Sequence, residues 1–151
     1  MSHISIKNAF KRYKKKIICL LGNKSLYSNQ ITKTCRDLFG RKYIGTFPQD
    51  KIPIGHNGYM IINTDLAGQK GEHWIAIVLE PHTCYIFDSF GRKAEHLLPV
   101  LEKKLLKKHY VSIDADKKAE QYGDSEICGQ LCIAFLLTVD KYGIKKTIKV
   151  V

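Results

Sequence analysis

Long apolar runs are missing from this sequence. The longest stretches, such as Ile17 to Leu21 and Ile133 to Leu137, fall far short of the roughly 20 residues a membrane span needs, so a soluble chain with no membrane partner is expected. Paired cysteines are missing too: Cys19, Cys35, Cys84, Cys128 and Cys132 make an odd count with no CxxC and no regular spacing. That argues against a disulfide framework and against a zinc cluster, and fits a reducing compartment with no metal site. The start, Met1 to Leu21, sets basic residues before only five apolar ones with no small-residue cleavage site behind them, so secretion is not expected. Acidic residues are scarce, 14 against 25 Lys and Arg. No internal repeat is visible.

What is present is enough for one domain, since a chain of 151 residues buries about two thirds of the surface its unfolded form exposes. The net charge of +11 is large for that size and draws polyanions. Much of it stands in two blocks, Lys7, Lys11, Arg12, Lys14, Lys15, Lys16 and then Lys103, Lys104, Lys107, Lys108. Either block alone reads as a solvated helix face. The total favours a surface for double-stranded DNA, bound through phosphates without sequence preference and possessing a steep salt dependence.

Along the chain, residues 1–27 form a basic N-terminal extension, read as an attached arm, although Ile4, Ala9, Phe10, Tyr13 and Ile17 are able to line one side of a helix. Residues 28–151 carry the sharper signals. Ser28 or Asn29 caps a short amphipathic helix through Ile31, Cys35, Leu38 and Phe39, with Gly40 at its end. Prolines and glycines between Arg41 and Asn57 predict an irregular crossing. Tyr59 to Asn63 reads as a strand, and His73 to Leu79 with Tyr85 to Phe87 as a hairpin. Leu97, Leu98, Leu101, Leu105 and Leu106 share one helix face, Tyr110 to Ile113 is a further strand, and Asp114 to Glu126 is a polar loop. A buried helix then runs from Cys128 to about Tyr142-Gly143. Thr147 to Val151 is a last strand or a tail.

Four side chains stand at segment boundaries where they are able to reach a cleft. Cys128 opens a helix, whose unpaired amide hydrogens and dipole favour a thiolate. His73 opens one strand of the hairpin and Asp88 ends the other, which brings both to the same end. Gln121, seven residues before Cys128, offers an amide donor that with the Cys128 backbone N–H makes an oxyanion hole. Gly129 removes a side chain where a substrate backbone would approach. Each residue alone has an ordinary structural explanation; the combination is what thiol-dependent peptide hydrolysis requires, with Cys128 as nucleophile and His73 as its base.

The segments Lys42-Tyr-Ile-Gly-Thr46, Gly71-Glu-His-Trp-Ile-Ala76, Cys84-Tyr-Ile-Phe-Asp-Ser-Phe-Gly91 and Gln121 followed by Cys128-Gly-Gln-Leu-Cys132 resemble, in order and spacing, the adenovirus protease (adenain) family and, more distantly, the SUMO-deconjugating proteases. The likeness runs from about Ser28 to Phe135. It implies His73, Asp88 and Cys128 as a triad, Gln121 as oxyanion donor, Trp74 as a wall narrowing the substrate cleft, and cleavage after glycine-containing motifs in capsid or core precursors. The adenovirus enzyme has Glu where Asp88 stands, and a disulfide-linked activating peptide whose partner cysteine has no counterpart in Tyr110 to Glu120; that activator is therefore not expected, and residues 1–27 take over part of its work in the reading adopted here.

The expected fold is α+β, a mixed or antiparallel central sheet packed against helices with the nucleophile at a helix N-terminus. The expected protein is a monomeric viral cysteine endopeptidase, requiring no cofactor for its chemistry and assisted by DNA, inside the virion and the infected cell. Two alternatives stay open: a deconjugating protease for a ubiquitin-like modifier, and a basic nucleic-acid-binding module on an inactive protease scaffold.

Overall fold

Strand residues between Met60 and Phe87 sort by parity onto two sides of one sheet, because successive side chains of a strand point to opposite faces. Ile61, Ala76, Val78, Tyr85 and Phe87 enter one core; Met60, Ile62, Ile75, Ile77, Leu79, Cys84 and Ile86 enter another. A sheet buried on both faces explains why its strands read as unbroken apolar runs. The computed structural model describes residues 2–66, 73–116, 119–121 and 125–151.

The sheet has five strands in the order β1 (Tyr43–Pro48), β2 (Gly58–Asn63), β3 (Trp74–Glu80), β4 (Thr83–Phe87) and β5 (Val111–Asp114). β1 lies parallel to β2 and β5 parallel to β4, while β2, β3 and β4 are antiparallel. On one face pack α1 (His3–Leu21), α2 (Ser28–Phe39), α5 (Cys128–Tyr142) and α6 (Ile144–Ile148); on the other, α3 (Ala94–Leu97) and α4 (Pro99–Lys107). This is the mixed α+β sheet packed against helices that the sequence led us to expect. Among the described residues no helix is long and apolar enough to cross a membrane.

Several boundaries differ from expectation. The segment from Arg41 to Asn57 is not wholly irregular: it holds β1, whose register shifts between Tyr43 and Gly45 and which stops at Pro48, so its alternation is short and broken. Gly45 and Gly58 both sit at positive φ, and a Cβ on Gly58 would stand 2.5 Å from the Lys42 carbonyl oxygen, a position only glycine tolerates. Thr147 to Val151 is neither strand nor tail; α6 reaches Ile148, and Val151 is buried. Of the leucines expected on one helix face, Leu98, just before α4, and Leu101 and Leu105 within it are buried, but Leu106 is 75% exposed.

The largest difference concerns residues 1–27. Residues 2–27 hold α1, capped by Ser2 Oγ accepting from the Ser5 N–H, which packs along α5 and buries Ile6, Ala9, Phe10 and Ile17. Ile6, not Ile4, marks the buried stripe, and the spacing 6, 9, 10, 17 is a helical one. The basic blocks are divided by the sheet. α1 carries its lysines on one layer and α4 on the other, and Lys104 Nζ donates to the Ile52 carbonyl. They do not form one surface, because each helix buries its apolar stripe on its own side of the sheet.

Candidate active site

Where β3 and β4 end, their antiparallel register pairs Ala76 with Phe87 and carries His73 diagonally past Asp88, within reach of a long side chain. His73 Nε2 and Asp88 Oδ1 are 2.5 Å apart, both side chains buried. The sulfur of Cys128, the first residue of α5, acts on the same imidazole and raises its affinity for a proton. The Trp74 backbone N–H donates to Cys128 Sγ at 3.5 Å. Cys128, His73 and Asp88 therefore form one row, hydrogen-bonded between His73 and Asp88 and electrostatically coupled between His73 and Cys128.

Electrostatics polarise that line. Burial by itself raises the Cys128 thiol, but hydrogen bonds from His73 and the N–H groups of Trp74 and Gly129 outweigh it and hold the thiol below its ordinary value. Burial works against a charged His73, yet Asp88 and Cys128 together raise its affinity for a proton. Asp88 is buried as well, which alone would raise it; hydrogen bonds from His73 and Arg92 bring it down to about 2. All three shifts favour a thiolate–imidazolium pair over an anchored carboxylate.

Gln121 is buried and is anchored beside Asp88, on its neighbour: its Nε2 donates to Ser89 Oγ at 2.5 Å and its backbone N–H to the Ser89 carbonyl at 3.2 Å. Its Oε1 is buried without a partner among the described residues. A half-turn about the Cγ–Cδ bond exchanges the two ends of this amide within the same space. Turning it over lets the Ser89 hydroxyl donate to Oε1 and releases Nε2 as a donor.

The two other expected residues, Gly129 and Trp74, both make contacts within the chain. The space beside Gly129 is filled from within the chain: a Cβ there would lie 3.1 Å from Leu26 Cδ1 and 3.4 Å from Trp74 Cδ1. The glycine thus admits close internal packing. The Trp74 indole donates through Nε1 to the Leu26 carbonyl at 3.1 Å, and the aromatic ring placed against His73 is that of Phe90, 5.2 Å between centroids. Gln130 Nε2 donates to the carbonyls of Gly22 and Lys24 at 2.9 and 2.8 Å. The link from α1 to α2 is thereby fastened to the first turn of α5.

Sequence reasoning missed Arg92, Phe90, Leu26 and Gln130. Arg92, four residues after Asp88, was the legible one; the partners of Leu26 are more than 40 positions away and invisible locally. The cleft, about 400 Å³, is lined by Ser25, Thr64, His73, Arg92, Glu126 and Cys128 among others. Segments 67–72 and 122–124 fall outside the described residues. Among the described residues no group of three or more His, Cys, Asp or Glu side chains is disposed to hold a metal ion.

Asp116 makes a separate pH prediction. Its Oδ1 accepts the Asp88 N–H at 3.2 Å, and burial lifts its carboxyl from 3.8 to about 6. A folded value above the unfolded one means its contribution is present below about pH 4 and is lost as pH rises through 6. Asp88, shifted the other way, loses its contribution only as pH falls from 4 towards 2. Thermal melts between pH 4 and 7 are expected to show a declining Tm in the wild type and a flatter one in Asp116→Asn; equal slopes would refute the assignment.

Comparison with known proteins agrees with the fold. The family model described as adenovirus endoprotease matches residues 38–149. A protease of porcine adenovirus A serotype 3 is 27% identical over 130 residues, covering 76% of this chain and 64% of that protein. One from human adenovirus B serotype 3 is 29% identical over 110 residues, covering 65% and 50%, and one from human adenovirus A serotype 12 is 26% identical over 129 residues, covering 71% and 60%. The chain spans about half to two thirds of the length of these relatives. With all five strands, His73, Asp88 and Cys128 inside the matched region, the chain belongs to the adenovirus endoprotease family.

Proposed function

We propose that this protein is a viral cysteine endopeptidase that cleaves capsid or core precursor proteins after glycine-containing motifs during virion maturation, within assembling particles and the infected cell. The observation that carries the reading is the line from the Cys128 thiol at the start of α5, through His73, to the buried Asp88. The thiolate attacks the scissile carbonyl and forms the acyl-thioester; the His73 imidazolium gives its proton to the leaving amine and then takes one from the water that releases the acid. The Cys128 N–H, which in the first turn of α5 has no partner within the helix, and Nε2 of a turned Gln121 stabilise the oxyanion. The 22–26 link, tied to Trp74 and Gln130, gives residues 1–27 a supporting part in holding the nucleophile.

The test is hydrolysis of fluorogenic peptides ending in Gly-Gly or Gly-X-Gly, by wild type and by Cys128→Ala, with and without DNA. Cleavage confined to the wild type supports the reading; equal cleavage by both removes Cys128 from the chemistry.

Assistance by DNA rests on the charge of +11 and on the layer where exposed Lys11, Arg12, Lys15 and Lys16 of α1 neighbour α6 with Lys145, Lys146 and Lys149. Reversing Lys11 and Lys15 to Glu is expected to weaken DNA binding about tenfold or more and to flatten its salt dependence. The same change at Lys103 and Lys107, across the sheet, is expected to act less. Equal effects, or binding indifferent to salt, would refute this placement.

A further inference from the structure

On the side away from His73, the Asp88 carboxylate is closed by Arg92. Arg92 Nε and its own backbone N–H both donate to Oδ2, at 3.0 and 2.9 Å, and Nη2 stands 3.5 Å from Oδ1. The Phe90 N–H donates to Oδ1 at 3.2 Å. The guanidinium also lies 5.0 Å from the centre of the Phe90 ring, the same ring that flanks His73. Cys128, His73, Asp88 and Arg92 thus form a row in which the charge alternates once the proton has passed from sulfur to imidazole.

Resting on the endopeptidase reading, we propose that Arg92 is a positioning residue that acts through Asp88, drawing on the carboxylate's charge so that His73 releases its proton readily to the leaving amine. Asp88 sits between two cationic partners. What Arg92 takes of its field, the imidazolium does not receive, and a repulsion from the guanidinium adds to this. The arrangement separates charge from orientation: two of the donors to Asp88 are backbone N–H groups, of Phe90 and of Arg92 itself, and they outlast any change of the Arg92 side chain.

Other charged and titratable groups face the row from every neighbouring element. Cys128 comes from α5, as does Cys132, fully buried and held well above the usual thiol range by that burial. Asp116, beyond β5, accepts the Asp88 N–H and is itself influenced by Asp114. Glu126 shares the cleft with His73 and Arg92, and Lys24 approaches Glu126 at 4.0 Å from the exposed rim. Among these, Arg92 is the permanent cation in contact with Asp88.

Arg92→Gln and Arg92→Lys test the assignment. The readout is the pH profile of iodoacetamide alkylation of Cys128, followed on the Cys128 peptide by mass spectrometry because Cys19 is exposed, with kcat/KM profiles beside it. The upper inflection marks loss of the His73 proton beside the thiolate. In Arg92→Gln it is expected to rise by about half to one pH unit, a modest shift because the Arg92 side chain is 46% exposed; Arg92→Lys returns it to the wild-type position. Superimposed profiles, or a shift as large in the Lys variant as in the Gln variant, would overturn the role of the charge while leaving the nucleophile intact. A wild-type profile with one rise at an ordinary thiol value would instead remove the ion pair, and with it the endopeptidase reading on which this inference stands.

Discussion

Cys128→Ala is expected to lower kcat for peptide hydrolysis by about 10⁴-fold or more while leaving the fold and its melting temperature nearly unchanged. The size follows from the row of groups: without the sulfur there is nothing for His73 to deprotonate and no acyl intermediate, and members of such a unit fail together rather than additively. The stability expectation follows from the small volume lost at the first turn of α5. Sγ receives the Trp74 N–H only at the long distance of 3.5 Å, and its other partners, His73 and the Gly129 N–H, keep the Asp88 contact and the helix that hold them, so a change within about 1 kcal/mol is expected. Turnover of a Gly-Gly peptide and a thermal melt, measured on the same preparation, check both halves. Residual activity above about a tenth of wild type would exclude Cys128 as the nucleophile.

Removal of α1 is expected to abolish cooperative folding. Ile6, Phe10 and Ile17 are each 4% exposed or less, and full burial of such side chains contributes about 1.5–3 kcal/mol apiece. Their sum is comparable with the whole net stability of an ordinary domain, roughly 5–15 kcal/mol. Phe10 is the member to probe alone. Its ring meets Phe87 edge-on at 6.4 Å, and Phe87 stacks on Phe135 at 4.4 Å, so it completes an aromatic column next to Asp88 in the chain. Phe10→Ala is expected to lose about 3–5 kcal/mol and to lower Tm by about 10 °C or more. Ile4→Ala, on the exposed face at 73%, is expected to stay within about 0.5 kcal/mol. Denaturant and thermal unfolding of the two variants decide the matter; similar losses would mean that α1 is a solvated attachment after all.

The two predictions meet at the link between α1 and α2. Leu26 packs where Gly129 has no side chain, Trp74 binds its carbonyl, and Gln130, fully buried, holds the carbonyls of Gly22 and Lys24. A segment that looked peripheral is therefore part of the seating of Trp74, whose N–H faces the thiol.

Legibility in the sequence followed the reach of each interaction. The hairpin of β3 and β4 and the helices α2 and α5 were visible because their signals are local: an apolar run broken at Pro81-His82, a glycine at Gly40 and at Gly143, an apolar surface recurring from Cys128 to Val139. The placing of His73 near Asp88 followed from antiparallel pairing across one tight turn, and Cys128 at a helix start from the polar loop before it. By itself the sequence thus determined the α+β class, the candidate line of Cys128, His73 and Asp88, and the excess of positive charge. Only the tertiary structure decided that β1 is a strand, since its pairing with β2 is parallel and across a register shift. It alone made α1 a core element, divided the two basic blocks between opposite faces, set Gln121 on Ser89 and brought Arg92 onto Asp88. Those outcomes depend on which faces of distant elements meet around one sheet, and burial of an apolar stripe chooses its partner by shape and volume, which no local pattern of residues encodes.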